Sequence, residues 1–327
     1  QTAYEIEAVS EGAVIWRRKQ TGTSAMSAVF EEPLKDRQRV EWRVRLWDEN
    51  ETAGEWSETA SFEMGILHPS GFTAKWINPE LTCDPTVHKP ASCLKTTFEM
   101  VACRTARLYV TCHGLYEVYL NGQRVENFVL APGSFTYEKR LAVQTYDVTD
   151  LVKEGSNEVL VILGDGWYRS CTGIDGIRNL YGEDVALLFQ LEADGRPVCI
   201  SDETWLASQD GPIRENDMQQ GEIFDARREA PADWHEVKVE TFDNQNLICQ
   251  DSVPIVERER FTGNIIKTPD GNTVIDYGQN LAGYVEFTVN AHEGQRIVLT
   301  HGETLDENGN FTTENFQDRA RHSEGEI

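Results

Sequence analysis

The chain has 327 residues, enough for two or three domains, each with its own core. Aromatic residues make up 9% of it, with eight Trp, which fits folded β domains and excludes a disordered chain. Thirty Lys and Arg against 55 Asp and Glu give a formal charge of −25, a field that repels phosphate backbones and anionic lipid, so neither nucleic acid nor membrane is an expected partner. A neutral ligand or a divalent cation suits such a field better than a heavily carboxylated polysaccharide, and much of the acid serves solubility.

Residues 1–67 read as one small β unit. QTAYEIEAV opens in strand composition. In VEWRVRLW, Trp42, Val44 and Leu46 share one face while Arg43, Arg45 and Trp47 share the other, the period of a half-buried strand. Residues 48–54 supply a turn before a further strand over 57–63. The unit has the look of a fibronectin-type module lacking its first strand, as if Gln1 fell inside a domain. Trp47 and Trp56 are candidates for a sugar-stacking platform, with core packing as the alternative.

Residues 68–91 carry four prolines and read as an ordered linker, with Trp76-Ile77 apolar enough to dock on a neighbour. Residues 92–255 follow as the largest unit, organised around 109–168. Leu108, Val110 and Cys112 alternate with Arg107, Tyr109 and Thr111. VYLNGQRV is the strongest hairpin signal, because Asn121-Gly122 tolerates the positive φ of a two-residue turn. Thr149 and Gly155 bracket an expected helical turn over 150–154. The unbroken apolar run 159–163 predicts a central strand covered on both faces. Asp194-Gly195 joins strands over 186–192 and 197–201. This order of short strands predicts a jelly-roll β-sandwich, and the fold class is all-β.

From residue 256 the sequence begins a further β-sandwich, with two alternating strands expected around Glu293-Gly294, a short helix over 314–320, and too few strands to close before Ile327. That end, too, reads as a cut.

The seven cysteines are widely spaced, with no C-x-x-C pair, so no zinc ribbon or thioredoxin-like site is expected. Free thiols point to a reducing compartment and a cytoplasmic chain; removal of a leader would make it secreted or periplasmic. No phosphate loop, nucleophile elbow or H-E-x-x-H is present, and the GDGWY corner at 164–168 is no dinucleotide fingerprint because it introduces no helix. Glycoside hydrolysis needs two carboxylates flanking a sugar. Glu183, Asp184, Glu222, Asp225, Asp276 and Glu303 are the candidates, although Asp225 beside Arg227 and Arg228 reads as a loop-fixing ion pair. The acidic loops at 165–175 and 183–184 offer oxygen ligands for calcium, without a spacing that fixes them. For carbohydrate binding, Trp167, Tyr168 and Tyr181 cluster in sequence with Arg169 and Arg178, combining aromatic faces with guanidinium donors. The competing reading is that Trp167 and Tyr168 plug the end of the sandwich.

Taken together, LYVTCHGLYEVYLNGQRV, LAPGSFTYEKR, TYDVTDLV, GDGWY, QGEIFDAR, VIDYGQNLAGYV and LTHGETL closely resemble the non-catalytic N-terminal half of bacterial α-L-rhamnosidases, glycoside hydrolase family 78. The resemblance implies a fibronectin-like module, a jelly-roll domain and the start of another sandwich. It also implies a parent enzyme that removes terminal α-L-rhamnose from plant glycosides with inversion, its acid and base on an (α/α)6 barrel beyond residue 327. No catalytic residue of that barrel has a matching position here, so the fragment itself is expected to be inactive and to require no cofactor. Some such jelly rolls resemble rhamnose-binding modules that hold the sugar through calcium, using an acidic-amide pair. Here the matching TYEKR stretch has Glu138-Lys139, and an ammonium cannot supply a carbonyl ligand. Two other readings stand beside the first: a stand-alone carbohydrate-binding module, and a galactose-binding-like jelly roll from another glycosidase class, against which DYGQNLAG and HGE in series discriminate.

Overall fold

The structure, a computed structural model, describes residues 1–22, 28–79, 89–173, 176–228 and 230–313. It divides into two compact units, Gln1–Val256 and Glu257–Ile327. In chain order the strands of the first unit begin with β1 (Ala3–Ser10), β2 (Ala13–Thr21), β3 (Arg39–Trp47), β4 (Ala60–Glu63), β5 (Trp76–Asn78), β6 (Ser92–Met100) and β7 (Ala106–His113). Next come β8 (Leu115–Leu120), β9 (Gln123–Arg124), β10 (Leu141–Asp147), β11 (Gly155–Gly164), the one-turn helix α1 (Gly166–Arg169), β12 (Ala186–Ala193) and β13 (Arg196–Ile200). The unit closes with β14 (Leu206–Ser208), β15 (Ile213–Asp217), β16 (Gly221–Phe224), β17 (His235–Glu236), β18 (Lys238–Glu240) and β19 (Leu247–Cys249).

Among the described residues the N-terminal module is one antiparallel sheet of order β2-β1-β3-β4. Strand β2, which the sequence reading passed over, is long and largely exposed. The face expected to be buried is partly open: Trp42 is 36% and Leu46 47% exposed. Its opposite face is an ionic ladder. Arg43 and Arg17 converge on Glu7, and Arg45 pairs with Glu5. Trp47 lies under Lys19, and Trp56 under Arg43 and Arg45, so cations occupy the rings that the platform reading would offer to sugar.

The second module is a sandwich. One sheet runs β18-β5-β12-β7-β10-β19, with β13 also on β12, and the other runs β17-β14-β6-β11-β8-β9. Leu108, Val110 and Cys112 of β7 and Leu187, Phe189 and Leu191 of β12 meet Val118 and Leu120 of β8 and Val159, Val161 and Leu163 of β11, all essentially inaccessible. At roughly 1.5–3 kcal/mol for each large apolar side chain removed from water, this layer dominates the module's stability.

Several expectations are corrected. Strand β11 is central, paired with β6 and β8, but Leu160 and Ile162 are only half-buried, so one face is covered rather than two. Strand β7 is covered on both faces beyond Arg107, because Tyr109 on its far face packs against Ile66 and Val143 beneath the joining segment. The joining segment docks as expected: β5 pairs with β12 and β18, placing Trp76 and Ile77 inside the sandwich. Gln190 pins the residues before β5. Its Oε1 accepts from the Thr73 and Ala74 backbone N–H groups at 2.8 and 3.2 Å, and its Nε2 donates to the Gly71 carbonyl at 3.1 Å.

In place of a helix over 150–154, the Leu151 and Val152 N–H groups both return to the Val148 carbonyl, at 3.0 and 3.2 Å, so the expected helical turn is a single turn just ahead of residues 152–154. Asp147 accepts from the Thr149 N–H and hydroxyl, and the Thr149 hydroxyl in turn accepts from the Ala106 N–H, so both side chains serve a corner between β10 and β7. The two hairpins hold: Asn121 (φ 52°) and Gly122 (78°), and Asp194 (46°) and Gly195 (75°), take the left-handed conformations their turns require.

In the second unit the described strands are β20 (Asn264–Lys267) and β21 (Thr273–Asp276), paired antiparallel. The segments flanking Glu293-Gly294 alternate in sequence but form no strand ladder among the described residues, although Gly294 does turn the chain (φ 80°). Residues 314–320 lie outside the described residues.

Candidate functional site

One end of the sandwich gathers all five residues singled out for sugar binding. Backbone passes backbone there. At Gly114 (φ 122°) a β-carbon would sit 2.4 Å from the Gly164 carbonyl oxygen, and at Gly166 (φ 54°) one would sit 2.7 Å from Leu115 and 2.9 Å from the Gly114 carbonyl carbon. The GDGWY corner therefore does introduce a helix, the single turn α1, far too short for a dinucleotide site. The tight crossing directs Tyr168 and Arg169 inward.

Tyr168 stacks on His113 (centroids 4.7 Å, planes 8° apart), whose other neighbour is Trp76 at 4.6 Å. Phe242 and Tyr137 meet the imidazole edge-on, and Tyr181 leans on Tyr137 at 5.0 Å. Burial drives the His113 pKa down to about 4, so the ring is neutral at physiological pH. Trp167 packs on the same cluster from the rim and, like Tyr181, is half-buried.

Beside the aromatics lies a buried ion network. The Arg169 guanidinium donates to Asp165 Oδ1 at 2.6 Å and to the Glu183 carbonyl at 3.1 Å, and the buried Lys89 ammonium reaches that carbonyl at 3.1 Å. Burial raises the Asp165 carboxyl above the ordinary range even against its arginines. Arg178 bridges the network to Asp217 at 2.5 Å. Burial opposes ionisation of Asp217 as well, but N–H groups of Gln220, Cys171 and Gln219, together with Arg178, outweigh it and leave its pKa lowered.

Tyr168 and Arg169 thus face inward, and Arg169 has only 3% of its side chain exposed, leaving no open edge for a sugar hydroxyl. Trp167, Arg178 and Tyr181 keep partial exposure. Sequence reasoning missed His113, Trp76, Tyr137 and Asp217, the partners that draw Tyr168 and Arg178 in; the adjacency of His113 to Gly114 is the one local signal of the crossing.

The carboxylates do not assemble. Asp225 is bound by Arg227 at 2.8 and 2.9 Å and its pKa falls to about 2, so it stays ionised and is unsuited to act as a general acid. Glu183, Asp184, Glu222, Asp276 and Glu303 are exposed. Among the described residues no three His, Cys, Asp or Glu side chains converge as metal ligands would. Glu138 and Lys139 lie exposed on a turn closed by the Lys139 N–H on the Thr136 carbonyl. Among the described residues six cysteines are free thiols, with Cys93 and Cys199 pushed up to about 11 and about 12 by burial, values that make them poor nucleophiles.

An antiparallel sheet joined to a β-sandwich defines the class of the fold, all-β and multi-domain. The matches then fix the family. Residues 1–68 match the Rha78A-like N-terminal immunoglobulin domain, 101–259 the alpha-L-rhamnosidase N-terminal domain, and 266–325 the bacterial alpha-L-rhamnosidase concanavalin-like domain. The chain belongs to the α-L-rhamnosidase family, glycoside hydrolase family 78, and corresponds to its N-terminal part. An α-L-rhamnosidase of Formosa agariphila is 32% identical over 97% of this chain and 37% of its own length. The native α-L-rhamnosidase of Aspergillus terreus superposes with a TM-score of 0.74 at 31% identity, over 86% of this chain and 35% of that one. The Streptomyces avermitilis α-L-rhamnosidase complexed with L-rhamnose shares the fold, with a TM-score of 0.80 at 23% identity over 98% of this chain and 49% of that one. The chain spans little more than a third of the length of the curated relatives it matches across nearly its whole extent.

Proposed function

We propose that this chain is the accessory half of an α-L-rhamnosidase that releases terminal α-L-rhamnose from rhamnose-containing glycosides, and that its modules position the domain that performs the hydrolysis. The observation that carries this reading is the three-domain match in family order along the chain. The scattered carboxylates favour a supporting role for these modules, since inversion needs an acid and a base across one sugar. The role needs no cofactor. Assay of the purified 327-residue chain on an aryl α-L-rhamnoside tests the division of labour: no nitrophenol above a mock preparation is expected, whereas the gene product extended through its downstream reading frame is active. Release by the 327-residue chain alone overturns it.

A second reading, rhamnose binding by the sandwich itself with calcium as a bridging ion, is favoured by the half-exposed Trp167 and Tyr181 at one end. Calorimetric titration with rhamnose, with and without calcium, separates the two; absence of heat in both leaves a scaffold.

A further inference from the structure

The ionic face of the N-terminal sheet holds a second feature. A cleft of about 260 Å³ lies on the sheet surface over the paired strands β1 and β3, lined by Glu7, Val9, Glu41, Trp42, Arg43 and Thr59. Its floor is rigidly built. The Glu7 side chain is 3% exposed and accepts from Arg43 Nε and Nη2 on one oxygen, at 3.1 and 2.6 Å, and from Arg17 on the other. The Arg43 guanidinium lies 4.6 Å from the Trp56 ring centroid, which fixes its plane. With Nε and Nη2 committed to Glu7, the Nη1 edge of Arg43 has no partner among the described residues.

Two polar groups at the cleft are not needed for this ladder. Glu41 is 54% exposed, its nearest cation Arg39 at 3.8 Å, and Thr59 stands exposed on the approach to β4. A fixed guanidinium edge, an underused carboxylate and a hydroxyl around one small opening form a donor and two acceptors. Each carboxylate at the cleft has cationic neighbours, Arg17 and Arg43 for Glu7 and Arg39 for Glu41, so no large excess of either sign faces the opening and a neutral ligand suits it.

We propose that this cleft binds the vicinal hydroxyls of a neutral sugar. One hydroxyl accepts from Arg43 Nη1 and donates to Glu41, and its neighbour bonds Thr59, with Trp56 behind the guanidinium as the spectroscopic reporter. The site belongs to the N-terminal module and is separate from the aromatic end of the sandwich; it stands whether or not the parent enzyme is a rhamnosidase.

The test follows the Trp56 indole N–H by NMR in the full 327-residue chain titrated with methyl α-L-rhamnoside and with methyl α-D-glucoside. A saturable shift with at least one of them is expected, weakened at least about tenfold in Glu41→Ala, as loss of a hydrogen bond to a charged acceptor requires, and also weakened in Thr59→Val. Trp167→Ala, at the other site, leaves it unchanged. Both cleft substitutions replace exposed side chains outside the Glu7 ladder, and unchanged indole resonances in the free variants verify the fold. No saturable shift with either glycoside, or a shift that survives Glu41→Ala and Thr59→Val, overturns the proposal. Preference for the glucoside leaves this site standing while counting against rhamnosides as its physiological ligand.

Discussion

At the residue scale, His113 is the most telling side chain. It is flanked by Trp76 and Tyr168, and burial lowers its pKa from the ordinary value to about 4. Because the folded pKa lies below the unfolded one, the unfolded chain binds more protons between about pH 6.5 and 4, and stability falls as pH drops through that window. The loss is of the order of 3 kcal/mol at its limit, taking 1.36 kcal/mol per unit. Urea titrations of the first unit at pH 7 and pH 4.5 should show it, and His113→Phe, which keeps a stacked ring without a proton site, should flatten this part of the slope. Asp217, whose pKa is lowered, adds a separate loss only as pH falls below the ordinary carboxylate range. Sequence cannot separate a sugar-facing tyrosine from a core tyrosine: Tyr168 satisfies both descriptions, and only the Gly114–Gly166 crossing decides where its ring goes.

At the scale of elements, the segment before β5 depends on one amide. Gln190→Leu leaves the Thr73 and Ala74 N–H groups and the Gly71 carbonyl without this partner, and should destabilise the first unit by about 1–3 kcal/mol, the cost of polar groups left unmade, since all three contacts are only part-buried. A shift of the denaturation midpoint at unchanged slope is the measurement; a shift under about 0.5 kcal/mol would mean that water replaces the amide. Elements with local causes were legible in the sequence. Asn121-Gly122 and Asp194-Gly195 specify their turns through backbone freedom alone. Elements whose cause is a distant partner were not. Strand β5 is three residues between Pro69 and Pro79 and exists because β12 and β18 flank it. Conversely, the alternating residues around Gly294 find no ladder partner among the described residues, so periodicity alone does not make them strands. The acidic pairs failed as a catalytic reading for the same reason: adjacency in sequence, as in Glu183-Asp184, does not bring two carboxylates to opposite sides of a sugar.

At the scale of the whole molecule, the compact division after Val256 predicts separable stability. The last residues of the first unit are tied down, since the Val129 N–H donates to the Ile255 carbonyl and Phe128 bridges Val256. A chain ended at Val256 should therefore keep the main melting transition of the full chain within about 2 °C, a shift that for a unit of this size corresponds to under about 1 kcal/mol. Within the first unit, two ion pairs cross between the N-terminal module and the sandwich with opposite polarity: Arg37 of the module holds Glu192, and Glu63 of the module holds Arg107 in a two-pronged contact at 3.0 Å. Such a junction works as a keyed coupling. A module transplanted from a relative must bring a cation at one contact and an anion at the other, and reversing one member of either pair sets like charges face to face. Arg107→Glu alone should loosen the joint, and Glu63→Arg in the same chain should restore it. Chimeric rhamnosidases built by exchanging N-terminal modules would then sort into compatible and incompatible sets by these four positions.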